Sequence, residues 1–213
     1  MNSLFSLDSP VYKFLSRAAD LIILNFLYFI SCLPIITIGA ATTAMYTLCF
    51  QFGTEQEQGV WKSYWQGFRC NFKQATGLWL VLLPLIVAAV GDAVLFYHSD
   101  GWMYYASFLF AISAVVIVLV AAMAFPLLSR FENTWYGTLK NAFLLSLSQF
   151  ARAAVVALLQ LLPVGLYFVF PVGFAALSSL WLMIYFAGAA YLSTLLLKKV
   201  YQPMIDKIVH SHT

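Results

Sequence analysis

The sequence predicts an all-α fold: a polytopic membrane helix bundle of six helices. The first two form a hairpin broken between Pro34 and Gly39, and two amphipathic helices lie on the cytoplasmic side. Three observations carry that expectation. Of 213 residues, 63% are apolar and 9% charged, where a soluble domain runs about half apolar and a quarter charged. Several apolar stretches approach the roughly 20 residues needed to cross a bilayer core of about 30 Å. The eleven Lys and Arg residues fall into four separate clusters. Eleven bases and eight acids cannot coat a water-facing surface, so most of the outer surface must face lipid. The chain reads as a single integral membrane domain over residues 1–213. A net charge of +3 is far from the dense basic stripe that nucleic-acid binding requires.

Residues 1–17 are mixed polar and aromatic and lead into the first apolar run without a small-x-small cleavage pattern. The first helix is therefore expected to be retained. The apolar stretches are residues 21–52, 76–97, 103–128, 153–170 and 174–197, a plain count of five. The basic clusters correct that count, because Lys and Arg of short loops stay on the cytoplasmic side. Lys13 and Arg17 precede the first stretch, and Lys62, Arg69 and Lys73 follow it. Arg130, Lys140 and Arg152 separate the third from the fourth, and Lys198, Lys199 and Lys207 follow the last.

With its two flanking clusters on one side, the segment 21–52 must leave and return. Its turn signal is Pro34-Ile35-Ile36-Thr37-Ile38-Gly39, where Pro34 removes a backbone donor and Gly39 permits a sharp change of direction. The first arm can begin near Leu15, with Lys13 and Arg17 snorkelling to the headgroups. The second arm, residues 40–52, reaches only about 20 Å at 1.5 Å per residue. It is re-entrant, tilted into a thinned bilayer, or extended by residues 53–56.

The other loops agree. Residues 91–102 carry Asp92 and Asp100 without a base, and residues 171–173 carry no charge, as suits the outer face. Tyr97, Trp102, Tyr104 and Tyr105 mark the outer boundary, and Trp61, Trp65, Trp135 and Tyr136 the inner one. Both termini are expected in the cytoplasm, with the protein in the cell membrane.

Two segments on the inner side are amphipathic. Trp61, Tyr64, Trp65, Phe68 and Phe72 recur at steps of three and four, which is one face of a helix. Phe131, Trp135, Leu139, Phe143, Leu147 and Phe150 repeat the pattern in the next cytoplasmic loop. Each leads into a membrane helix carrying Leu-Leu-Pro, at Leu82-Leu83-Pro84 and Leu161-Leu162-Pro163, a weak sign of an internal repeat. Two readings of these helices stay open. They anchor in the headgroup layer, or Trp61, Tyr64, Trp65, Phe68, Phe72, Trp135, Leu139 and Phe143 bind a partner protein.

Signs of chemistry are few. Cys32, Cys49 and Cys70 lie 17 and 21 residues apart, without the close pairing of zinc or redox sites, and read as packing residues. His98 falls at the outer boundary, and His210 and His212 in a polar tail. No metalloprotease, hydrolase or nucleotide motif is present, so neither catalysis nor a cofactor is expected. Asp20 and Asp92 each sit near a helix end and can reach an interface. Asn25, Ser31, Thr37, Thr42 and Thr43 gather around the hairpin with Gly39, Ala40, Ala41 and Ala44. They cross-link closely packed helices, or the break that contains Pro34, Thr37 and Gly39, with Asn25 nearby, lines a binding site.

The stretch from Asn25 through Ser31-Cys32-Leu33-Pro34 and Gly39-Ala40-Ala41-Thr42-Thr43-Ala44 to Tyr46 resembles the signature of the YesL family of bacterial integral membrane proteins. Trp61-Lys62-Ser63-Tyr64-Trp65-Gln66-Gly67-Phe68-Arg69 and Leu139-Lys140-Asn141-Ala142-Phe143 extend the resemblance over nearly the whole chain. That family has no established activity. Its members occur mostly in Gram-positive bacteria, commonly beside genes for carbohydrate ABC importers and glycoside-degrading enzymes. The resemblance implies an accessory subunit whose partners are importer permease or ATPase subunits. The alternative is a small transporter or permease subunit for a sugar, against which stands the absence of the EAA-x3-G pattern that docks an ATPase. A third reading is a sensor or stability factor for an importer.

Overall fold

The computed structural model describes residues 10–54, 59–131, 133–176 and 181–211. Gln56 and His212, on which two sequence expectations touch, lie outside the described residues. Among the described residues the fold is all-helical, and five helices are long and apolar enough to cross a membrane. In chain order they are α1 (Pro10–Cys32), a short 3-10 turn (Ile35–Thr37), α2 (Ile38–Gln51), α3 (Val60–Tyr97) and α4 (Trp102–Leu128). Then come α5 (Trp135–Ser148), α6 (Phe150–Val169), the six-residue α7 (Pro171–Ala176), a π segment (Trp181–Tyr185) and α8 (Phe186–Ser211).

The centre of the molecule is α2. Its residues Gly39 to Tyr46 are all buried, as are Leu48, Cys49 and Phe50. Small side chains explain why neighbours close on every side of it, since Gly and Ala let backbones approach closely. A Cβ at Gly39 would lie 2.5 Å from the Ala75 carbonyl oxygen and 2.7 Å from the Trp79 Cβ, so only glycine fits where α2 crosses α3. This changes the role expected of Gly39. It sits inside the first turn of α2 and is not among the glycines of positive φ, so it serves close helix contact and not backbone reversal. The hydroxyls of Thr42, Thr43 and Thr47 donate to the carbonyls four residues earlier, at 2.7, 2.9 and 2.9 Å, which satisfies them within the helix itself.

Contacts along α1 and α2 pair Arg17 with Phe52, Tyr28 with Thr42, and the Ser31 carbonyl with Thr37. The Arg17 guanidinium lies 4.2 Å over the Phe52 ring, Arg130 lies 5.3 Å over Phe50, and Lys198 Nζ is 3.5 Å from the Phe52 carbonyl. Cations from three of the four basic clusters thus gather around the C-terminal end of α2, where a helix dipole favours positive charge.

The first amphipathic segment differs from its expected form. It is continuous with the following membrane helix, making α3 one unbroken 38-residue helix, about 57 Å long at 1.5 Å per residue. Two of its interior glycines receive a neighbouring side chain: Thr47 packs at Gly67, and the Trp135 ring at Gly77. The second amphipathic segment is a separate helix, α5, started by Thr134, whose side chain accepts from the Gly137 N–H at 3.2 Å, an N-cap. Of the cysteines, Cys49 is buried and Cys32 half-buried, as packing residues should be, but Cys70 is exposed. It lies on the face of α3 turned away from the bundle.

Candidate functional site

Three places hold the residues singled out in the sequence. The first is the break before α2. Thr37 is buried, and its hydroxyl lies 2.6 Å from the Ser31 carbonyl, an acceptor in the last turn of α1, and 2.7 Å from that of Pro34, which also accepts from the Thr37 N–H at 3.0 Å. From outside, the Trp79 indole N–H donates to the Ile35 carbonyl at 2.8 Å, fixing the turn to the middle of α3. Trp79 was not among the expected site residues. Its signal is a hydrogen-bond donor set in the apolar run Gly77-Leu78-Trp79-Leu80, because an indole N–H among apolar neighbours away from water requires a partner. Asn25 does not join the turn. It is fully buried, and its Oδ1 accepts from the Ala187 N–H at 2.9 Å, at the start of α8, where the π segment ends and the backbone donors change register.

The second place is a central cavity of about 360 Å3. The helices around it each present a regular stripe: Ile38, Thr42, Met45 and Tyr46 from α2, then Trp79, Leu83 and Ile86 from α3. Similar i, i+3 and i+4 steps bring in Ala157, Gln160, Leu161 and Val164 of α6, the spacing of one helix face. Both Leu-Leu-Pro tripeptides reach it, through Leu83 and Leu161. A helix proline frees the carbonyl four residues earlier. For Pro163 that is Leu159, and the Tyr185 hydroxyl donates to it at 2.7 Å, as a buried carbonyl in a membrane helix demands.

Among the described residues, no Asp, Glu, Lys, Arg or His lines this cavity. Its polar groups are Tyr28, Thr42, Tyr46, Gln160 and Trp79. Two are committed, Thr42 to Ile38 and Trp79 to Ile35, and the Tyr28 hydroxyl lies beside Thr42 and Cys32. The Gln160 amide donates one N–H to the Tyr46 hydroxyl at 2.8 Å. Its Oε1 faces no partner among the described residues. Neither Gln160 nor Tyr46 was expected as a site residue, although a glutamine ten residues into an apolar helix is a polar group that must find a use.

The third place is the pair of aromatic stripes, and the structure divides them. Tyr64 is fully buried, and Trp65 and Phe68 pack on the core. Trp61 is 65% exposed and Phe72 37%, at the two ends of a ladder of ring contacts running through Trp65 and Phe68. On α5 the inward face is Thr138, Ala142, Leu145 and Ser146, so the aromatic stripe faces out: Trp135, Tyr136 and Phe143 are exposed and Leu139 half-buried. Trp135 still covers Gly77 with its ring. Gln74 of α3 donates to Thr138 at 3.3 Å, tying the two amphipathic segments together.

Among the described residues, no three His, Cys, Asp or Glu side chains group as a metal site would need. No curated protein and no solved structure matches the chain. A family model described as a protein of unknown function, DUF624, matches residues 21–93, the part of the chain that holds most of α1, all of α2, the Trp79 contact and the exposed ends of the α3 ladder. Over that region the chain is similar to DUF624, the family that includes YesL.

Proposed function

We propose that this chain is an accessory membrane subunit that associates with a carbohydrate ABC importer and supports its assembly, stability or regulation. The observation that carries the reading is the aromatic surface left uncovered by the protein's own packing, from Trp61 and Phe72 on α3 to Tyr136 and Phe143 on α5. Aromatic side chains are the preferred anchors of protein interfaces. The resemblance to the YesL family, whose genes commonly stand beside carbohydrate importers, supplies the kind of partner. In this reading the chain catalyses nothing and binds no nucleotide.

The same reading sets the orientation. The end of the bundle where Arg17, Arg130 and Lys198 converge faces the cytoplasm of the cell, following the bias of Lys and Arg to that side. Both termini lie there, with α3, α4, α6 and α8 as passes and α1 and α2 as the hairpin that leaves this side and returns to it. At about 21 Å for 14 residues, α2 falls short of the core thickness and returns as a re-entrant arm. A cysteine placed at Lys62 is then unreachable by impermeant maleimide outside intact cells; labelling there would reverse the orientation.

Affinity purification from native membranes in mild detergent tests the association. Permease and ATPase subunits of an importer should co-purify in stoichiometric amounts, and recovery of the chain alone would remove the proposal. The alternative reading is transport of a sugar by the chain itself, against which stands the charge-free and largely apolar lining of the central cavity among the described residues. Reconstituted vesicles moving a sugar without any partner would establish it.

A further inference from the structure

The cavity among α2, α3, α4, α6 and α8 has a chemistry that selects its occupant. The space of about 360 Å3 opens toward the surface past Leu161 and Val164, which are 45% and 52% exposed, and left unfilled it would deprive its lining of contacts on one side. Ligand pockets begin at about 300 Å3. Its α2 wall runs from Ile38 to Tyr46, about 12 Å at 1.5 Å per residue, so the space is an elongated slot. It lies between helices of membrane-spanning length, where hydrocarbon is the available solvent.

The walls exclude most ligand classes. With no Asp, Glu, Lys, Arg or His in the lining among the described residues, a phosphate, carboxylate or ammonium would be buried without a counter-charge. A sugar carries many hydroxyls, and here nearly every polar group is already bonded to protein. What remains is the Tyr28 hydroxyl and the unused edge of the Gln160 amide, its Oε1 and second N–H, in an otherwise hydrocarbon slot. We propose that this cavity binds a neutral lipid whose hydrocarbon chain lies along the slot and whose single hydroxyl donates to Gln160 Oε1. Sequence expectations and the accessory role neither require nor supply this site.

Purified full-length protein in phosphatidylcholine nanodiscs is incubated with hexadecanol carrying a mid-chain diazirine, irradiated, and mapped by peptide mass spectrometry. Adducts should concentrate in the stretches containing Ala157 to Val164 and Phe186 to Ala190, and excess unlabelled hexadecanol should compete them away. Ala121→Phe projects a ring into the slot and should reduce capture at least tenfold, with Ala189→Leu as a milder filling variant if the first fails to fold. Gln160→Leu should weaken binding about fivefold, the worth of one hydrogen bond. Tyr46→Phe, which frees Gln160 without removing it, should retain binding. Adducts spread along outward residues such as Leu109 and Phe168, equal capture of a phosphatidylcholine bearing the same diazirine, or capture unchanged in both filling variants would overturn the site.

Discussion

Helices α2 and α5 are each 14 residues long, yet eleven residues of α2 are buried and only four of α5. The difference lies in where each keeps its small side chains. In α2 they occupy every face near the start, with Gly39, Ala40, Ala41 and Ala44 among them, so α1, α3, α4 and α8 all close on it. In α5, Thr138, Ala142 and Ser146 form one stripe at four-residue steps, and the bulky Tyr136, Phe143, Leu144 and Leu147 stay exposed. Length and apolarity alone would treat the two alike. Packing makes one an axle and the other a free face, so substitutions in α2 should affect folding and substitutions on the outer side of α5 should affect association.

The sharpest way to break that contrast is at Gly39. Gly39→Val places a branched side chain against the Ala75 carbonyl and Trp79, and overpacking of this kind costs about 3 kcal/mol. Gly39→Ala should cost about 2 kcal/mol in the same reversible unfolding in detergent. At Gly165 of α6 the position a Cβ would take is open, with no atom within 4 Å, so Gly165→Ala should be neutral or stabilising by up to about 1 kcal/mol. Equal effects at the two glycines would mean that α2 is not tightly enclosed.

A smaller effect is expected where polar groups tie α2's neighbours together. Asn25→Leu leaves the Ala187 N–H buried without its acceptor and should cost about 1–3 kcal/mol. Trp79→Phe removes one hydrogen bond to the Ile35 carbonyl and should cost about 1 kcal/mol, read from the same unfolding midpoints. The least change belongs to α5: Tyr136→Ala with Phe143→Ala should shift stability by about 0.5 kcal/mol or less per site. A large loss there would show that the outer face of α5 is structural.

The all-helical architecture could be read from the sequence because bilayer thickness is a strong constraint on the length of an apolar helix. The apolar runs, the break near Pro34 and the outward stripe of α5 all correspond to features of the structure. The continuity of α3 was hidden by polarity, since the polar face of Lys62, Arg69 and Lys73 gives way to an apolar run, yet no proline separates the two segments. A boundary in hydrophobicity is not a boundary in backbone. The role of α2 was hidden for a related reason: a short helix suggests an incomplete span, and only its neighbours reveal it as the centre.

At the candidate sites, residue type was more legible than direction. Asn25 and Gly39 stand out in the sequence, but one ties α1 to α8 and the other admits α3 closely, and neither role is encoded in local spacing. The two aromatic stripes look equivalent as periodic patterns. Only the fold buries Tyr64 while leaving Trp61 and Phe143 exposed. The cavity itself was invisible, because Tyr46 of α2, Trp79 of α3 and Gln160 of α6 line it from separate helices, with Tyr46 and Gln160 bonded across 114 residues.

The association with an importer is tested most directly by site-specific photocrosslinking in living cells. A benzophenone amino acid is placed at Phe143 and, separately, at Val169, which is 83% exposed at the far end of α6. The account predicts adducts to an importer permease or ATPase subunit from position 143 and none from position 169. Adducts from both positions alike, or lipid alone from position 143, would contradict it.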